Sequence, residues 1–301
     1  MKSRYSIYNM GNDYPQYVVL RGFAPRPTPT PGPEPEPTDP LNPDLMDPLN
    51  PLNLPPNTIR VRTSDGNRPS GNDTTYESAT LVQGTSDVYD VYKSGTDFSQ
   101  LFFDSKNITE VLGANTSSVK YMGSMFVGCT SLTSVPLFDT SSVEGMGSMF
   151  RECTSLTSVP LFDTSSVDYM GGMFRECTSL TSVPLFNTST VTRMNTMFYG
   201  CSSLTSIPLF NTSNVINMNG MFNGCSSLTS IPLFDISKVE DMSYMFNYCI
   251  AVEGGALALY QKASVKNPQP NHEETFTFCG LYTATGAAEL EQIPAEWGGN
   301  A

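Results

Sequence analysis

Cys129, Cys153, Cys177, Cys201, Cys225 and Cys249 recur at 24-residue intervals, while Cys279 lies outside the series and His272 is the single histidine of the chain. Nucleophilic thiolates, disulfides and zinc ligation are the chemistries that such residues carry. The pattern opposes each of them. Cysteines stacked in successive turns of a coil fall within the Cα range of a disulfide, but parallel side chains entering one core do not meet its torsional requirement. Zinc sites call for C-x-x-C or a nearby histidine, and neither accompanies the series. The six are expected to be buried free thiols that fill a gap sized for a small apolar side chain. No metal or other cofactor is expected.

His272 sits in a polar, proline-flanked loop and is expected to be solvated. A Ser-His-Asp or Cys-His hydrolase would have to use it, and no serine elbow or cysteine stands beside it in sequence. Cys279, within F-T-F-C-G-L-Y, reads as a buried residue of a terminal cap. Carboxylate pairs such as Glu240-Asp241 and Glu273-Glu274 belong to a chain with 29 acidic and 16 basic residues, where solvated surface is the simpler account than a glycosidase pair across a cleft. There is no Gly-rich phosphate loop and no calcium-loop pattern. The residues point away from catalysis.

A formal net charge of −13 over 301 residues leaves no basic stripe with which to neutralise phosphates, so nucleic acid is excluded as a partner. No stretch approaches the roughly 18 to 20 apolar residues that span a bilayer, so no membrane insertion is expected. The start M-K-S-R-Y-S-I-Y-N-M-G-N-D lacks the apolar core of a secretory signal.

The cysteines are one column of a longer unit. In the second clean unit apolar residues recur at Leu132, Val135, Leu137, Val143, Met146, Met149, Phe150 and Cys153. A faithful 24-residue period means a solenoid, because each unit buries its apolar side only against its neighbours. L-T-S-V-P-L-F is similar to the strand segment of leucine-rich repeats, with alternate residues entering the core. The phrase D/N-T-S-x-V-x-x-M-x-x-M-F-x-x-C-x-S-L-T-S, from about 115 to 249, resembles the BspA-like subclass of bacterial surface-protein repeats. Thr140, Thr164, Thr188, Thr212 and Ile236 stand where ordinary leucine-rich repeats carry a buried asparagine ladder.

The expected architecture is an α/β repeat solenoid, a leucine-rich-repeat-like right-handed coil with short parallel strands and a short helical or 3₁₀ segment per turn. Residues 98–249 form it, beginning with a worn coil in which Phe98, Leu101, Phe102, Ser105, Ile108 and Val111 precede their counterparts by 24 residues. About seven coils at roughly 4.8 Å give a rod some 30 to 35 Å long. Residues 57–97 are expected to be a β-rich N-terminal cap, with strands at Thr58–Val61 and Ala79–Tyr92. Residues 250–301 are expected to be a helical C-terminal cap, with helices at Gly255–Ser264 and from Thr285 to the break at Pro294. Residues 25–56 read as a proline-rich stalk. Residues 1–24 read as an anchor peptide, centred on Tyr17, Val18, Val19, Leu20 and Phe23, that adds a strand to a partner.

Two features are candidates for binding. If Val135 and Leu137 point inward, Phe138, Phe162, Phe186, Phe210 and Phe234 form an exposed aromatic ladder able to stack on sugars or pack on a protein. The alternative is a chain that turns at each proline and buries the phenylalanine. The second feature is where the units differ: Lys120-Tyr121, Glu144-Gly145, Asp168-Tyr169, Thr192-Arg193, Ile216-Asn217 and Glu240-Asp241, together with Val127, Arg151, Arg175, Tyr199 and Asn223. Such variation reflects either a partner or the tolerance of exposed positions.

These readings converge on a non-enzymatic display protein. The first expectation is a phage fibre or capsid decoration protein at the virion surface. Residues 1–24 would hold it to a virion structural protein, and the solenoid would attach to a host-surface glycan or protein. A BspA-like adhesin at the bacterial cell surface and an intracellular scaffold are the alternatives. Homo-oligomerisation is left open, since no heptad or collagen-like signal is present.

Overall fold

The structure, a computed structural model, describes residues 54–71 and 76–301. The anchor residues Tyr17, Val18, Val19, Leu20 and Phe23, and most of the stalk, lie outside the described residues.

A four-stranded antiparallel sheet opens the described chain: β1 (Thr58–Thr63), β2 (Ser78–Leu81), β3 (Val88–Tyr92) and β4 (Ile108–Asn115), in the order β2-β3-β1-β4. The sheet is larger than the sequence reading of 57–97, because β4 belongs to the worn first coil. Its Ile108 and Val111 occupy the register of Leu132 and Val135 in the next unit. The same segment becomes a full strand only here, where β1 offers it an antiparallel partner. On its other side β4 already pairs in parallel with the solenoid, through Glu110 and Ser134. Arg60, nearly buried in β1, is held by Asp90 of β3 at 2.7 Å.

In the solenoid the coils pair chiefly at the residue before the first methionine of each unit, and less at L-T-S-V. Parallel bridges run without a break from Asp97 through Tyr121, Gly145, Tyr169, Arg193, Asn217 and Asp241 to Asn271. Beyond that column alternate amides reach the next coil: Met122 donates to Gly145, Ser124 to Gly147, Phe126 to Met149 and Gly128 to Arg151. Between the central coils the L-T-S-V segment is tied by at most one backbone bond, as from Thr205 to Thr181 at 3.2 Å. The following proline has no N–H with which to extend it.

The helical segment expected around M-x-x-M-F is a run of tight turns. Met149 donates to Met146 and Arg151 to Ser148, but Ser148 (φ 57°) and Glu152 (φ 62°) are left-handed. The pair recurs four residues apart in every coil, from Gln100 and Asp104 to Glu274 and Phe278. Glycine takes the second position at Gly128, Gly200 and Gly224, where it removes the steric cost that Glu152 and Glu176 bear.

The core is built from columns of identical residues. Phe102, Phe126, Phe150, Phe174, Phe198, Phe222, Phe246 and Phe276 stack with centroids 5.2 to 6.2 Å apart. Thr164, Thr188 and Thr212, at the position of the asparagine ladder, each donate to a backbone carbonyl of the following coil at 2.8 Å. The D/N-T-S phrase is a recurring Asx turn, in which the amide of Ser165 donates to Asp163 Oδ1 at 3.0 Å.

The repeat does not stop at Cys249. After helix α1 (Ala256–Ser264) the chain returns and lays down one more coil. Met242 donates to Asn271, Tyr244 to Glu273, Phe246 to Thr275 and Tyr248 to Thr277, which is the pattern of every earlier coil. Thr275 stands where a methionine stood, and its hydroxyl donates to the Met242 carbonyl at 3.0 Å. Cys279 is buried at the cysteine position of this coil. His272, expected to be solvated, is half-buried. Its Nδ1 donates to the Pro270 carbonyl at 2.8 Å, and its ring stacks on Trp297 at 3.9 Å. Helix α2 (Ala284–Leu290), capped by Thr283 through the Gly286 amide, and the 3₁₀ turn Ala295–Trp297 close the end. Among the described residues no helix is long and apolar enough to cross a membrane.

Candidate binding face

The bridge column joins each coil to the next in an unbroken series of parallel pairs, and its side chains differ from coil to coil. Each successive bridge residue changes character, from Asp97 to Tyr121, Gly145, Tyr169, Arg193, Asn217 and Asp241. The preceding column changes with it. Between them the coils differ in charge, ring and size on a fixed frame.

Two tyrosines dominate this face. Tyr121 is exposed and its hydroxyl donates to Glu144 Oε2 at 3.0 Å, while Lys120 Nζ meets Glu144 Oε1 at 2.9 Å. These hydrogen bonds, from Lys120 first and Tyr121 second, hold the Glu144 carboxyl below its usual range. Tyr169, two coils on, lies across the backbone of two glycines. A Cβ placed on Gly147 would come within 2.6 Å of Tyr169 Cδ1, and one on Gly171 within 2.5 Å of Cε2. Opposite edges of the ring therefore rest on adjacent coils, and the residue is still 38% exposed. Gly145, the bridge residue between the tyrosines, carries nothing above its backbone. A Cβ there would meet only Tyr121 Cδ1, at an ordinary 3.7 Å. The sequence reading included these residues among the varying pairs without separating them from other exposed positions. A usable signal was the alternation of tyrosine and glycine in this one column.

The second varying column is more self-contained. Arg151 pairs with Glu152 and Arg175 with Glu176, and the Arg175 guanidinium lies 4.5 Å from the centre of the Tyr199 ring.

The exposed aromatic ladder is overturned. Phe138, Phe162, Phe186, Phe210 and Phe234 are buried, none more than 2% exposed, whereas Leu137, Leu161, Leu185, Leu209 and Leu233 are 53% to 64% exposed. The alternation fails at the proline. The amides of Phe162, Phe186, Phe210 and Phe234 donate back to Pro160, Pro184, Pro208 and Pro232 at 2.9 to 3.0 Å. This three-residue turn throws the leucine outward and returns the phenylalanine to the core. There the second phenylalanine column stacks beside the first, as with Phe150 and Phe162 at 6.2 Å.

Cys129, Cys153, Cys177, Cys201, Cys225 and Cys249 are buried and free, as is Cys279. In the six, Sγ donates to a phenylalanine carbonyl 27 residues earlier, for example Cys153 to Phe126 at 3.1 Å. Each of these carbonyls already accepts a backbone amide of its own coil, as Phe126 does from Cys129 at 3.1 Å, so the thiol adds a second, weak bond between coils. Burial raises all of these thiols, Cys201 to about 12. Ellman's reagent is accordingly expected to find no reactive thiol in the native protein and all seven after denaturation. Rapid native labelling of even one of the six would show that the column is open to solvent.

These coils define a repeat solenoid. A family model described as "Mycoplasma protein of unknown function, DUF285" matches residues 96–183 and 181–279, more than half of the chain, and the protein belongs to that family. The second match ends at Cys279 and so takes in the returning coil. Among solved structures the chain is similar to the T. pallidum leucine-rich repeat protein TpLRR, at 18% identity over 62% of this chain and 86% of that one, with a TM-score of 0.42. No curated protein matches it.

Proposed function

We propose that this is a non-enzymatic binding and display protein, whose solenoid recognises a host-surface glycan or protein through the bridge-column face. The observation that carries this reading is the contrast between columns. The methionine, phenylalanine and cysteine columns repeat one residue, while the column that pairs coil to coil presents a tyrosine, a glycine, a tyrosine, an arginine and an asparagine in turn. A fixed frame with varied side chains suits surface recognition. Residues 1–24 hold the protein to a virion structural protein, and residues 25–56 set the solenoid away from the particle, as in a phage fibre or decoration protein. The match to a family described from Mycoplasma favours a second carrier, a bacterial cell surface on which the same solenoid serves as a BspA-like adhesin.

Two measurements on the full chain test this. Labelled protein is expected to decorate intact host cells, and the triple variant Y121N/Y169N/R193N is expected to lose that decoration while its far-UV spectrum is unchanged. Full retention by the variant would remove the bridge column from recognition. Deletion of residues 1–24 is expected to abolish co-sedimentation with phage particles and leave cell decoration intact. If wild-type protein never co-sediments with particles, the cell-surface carrier replaces the virion.

A further inference from the structure

The three glycines around Tyr169 are not explained by the fold. Gly145, Gly147 and Gly171 all lie outside the left-handed region, so their backbone does not ask for glycine. Nor does space at the first of them: a Cβ on Gly145 fits, and the same column holds tyrosine, arginine, asparagine and aspartate in other coils. Gly147 and Gly171 share one column, which holds glycine also at Gly123 and asparagine at Asn195 and Asn219. At Gly147 and Gly171 what a Cβ would strike is the Tyr169 ring itself. Together they let one tyrosine lie down on the coils with a face toward solvent and leave an open floor at Gly145 between it and Tyr121. The two bridge positions that carry the rings are two coil steps apart, about 10 Å.

Flat, half-exposed aromatic rings beside fixed polar groups match the chemistry of a sugar, whose C–H face packs on a ring while its hydroxyls hydrogen-bond at the edge. The edge groups are present. Glu144 is held in place by Lys120 and Tyr121, and Asp168, Thr192 and Arg193 adjoin Tyr169 in sequence or across the ladder. The space above Gly145 is open, with only Tyr121 Cδ1 near a Cβ placed there, which suits a chain lying on the surface rather than a small molecule enclosed in a cavity. Charge narrows the class. Asp97, Glu144, Asp168, Glu240 and Asp241 outnumber Lys120 and Arg193 on this face, in a chain of net charge −13, so sialylated or sulfated chains are repelled. We infer that Tyr121, Gly145 and Tyr169 form a subsite for an uncharged hexopyranose chain, with one sugar ring on Tyr169 and the next over Gly145. This inference rests on the bridge column being the recognition face and adds its ligand class.

The test uses the full chain and saturation-transfer NMR with cellohexaose, mannohexaose and galactose-terminated oligosaccharides, with sialylated and sulfated oligosaccharides as counter-probes. At least one uncharged chain is expected to bind. Loss of a ring contact is expected to weaken it about tenfold in Y169A, whereas Y169F, which keeps the ring, retains binding. G145V fills this open space without disturbing the fold and is expected to weaken binding to a similar extent with an unchanged melting temperature. Failure of every uncharged chain to bind, binding of charged chains alone, or uncharged binding indifferent to G145V would each overturn the inference. Cell decoration by the same samples separates the two readings. If cells are decorated and G145V abolishes it while no oligosaccharide binds, the face stands and its ligand is a protein. If oligosaccharides bind but no cell is decorated, the subsite stands and the display role falls.

Discussion

Replacing Phe162 by alanine is expected to destabilise the protein by about 3 to 5 kcal/mol, while replacing the adjacent Leu161 by serine changes stability by no more than about 0.5 kcal/mol. Phe162 is 2% exposed and stacks on Phe138 at 5.6 Å and on Phe150 at 6.2 Å, so truncation opens a void between two coils that the rigid columns around it cannot fill. Leu161 is 58% exposed, so its loss removes little buried apolar surface. The void lies mid-rod and so weakens the interfaces on both sides, which in a nearest-neighbour solenoid divides one cooperative unit into two weaker ones. A lower denaturation midpoint with a broadened transition is the expected form of the F162A result in guanidinium unfolding. Strict alternation along the strand predicts the reverse order, with a costly leucine and an indifferent phenylalanine. Finding that order would mean the chain does not turn at Pro160, and the exposed ladder would have to be restored.

Period and architecture were legible because the core columns repeat one residue type, so that register could be read from Cys129 to Cys249 without propensities. The orientation of Leu161 and Phe162 was legible only as one of two alternatives, the chain that turns at each proline and buries the phenylalanine. Alternation assumes an unbroken strand, and the three-residue turn closed by the Phe162 amide on Pro160 inserts half a period that no apolar pattern records. The left-handed positions were half-hidden for a related reason. Gly128, Gly200 and Gly224 announce them, but Glu152, Glu176 and Tyr248 occupy the same conformation and conceal it. Chain pairing was placed on L-T-S-V because that segment resembles the strand of leucine-rich repeats. In the structure the pairing follows the hydrogen bonds available, and these lie beside the methionines. The proposed recognition face had been named only as a set of varying positions. Selecting Tyr121, Gly145 and Tyr169 from it required knowing that Gly147 and Gly171 lie beneath one ring, a contact between coils 24 residues apart.

Ending the chain at Ile250 is expected to abolish soluble folded protein, whereas deleting one internal unit, residues 178–201, is expected to leave it folded. The returning coil explains the difference. Cys279 follows Cys249 by 30 residues instead of 24, because helix α1 is inserted, and Phe276 and Cys279 preserve the Phe-x-x-Cys spacing of Phe246 and Cys249. That coil accepts the amides of Met242, Tyr244, Phe246 and Tyr248 and covers Phe246, Met245 and Cys249, all fully buried. Truncation at Ile250 leaves those amides unpaired and opens the whole phenylalanine, methionine and cysteine cross-section to water, the exposed end that terminal caps exist to prevent. The internal deletion removes one interface of many and rejoins columns that are identical on either side, from Cys177 to Ser202. Size-exclusion chromatography and thermal melting distinguish the outcomes. A truncated protein that ran as a monomer and melted cooperatively near the full-length temperature would show that residues 251–301 are an appendage and that the solenoid ends where its clean repeat does.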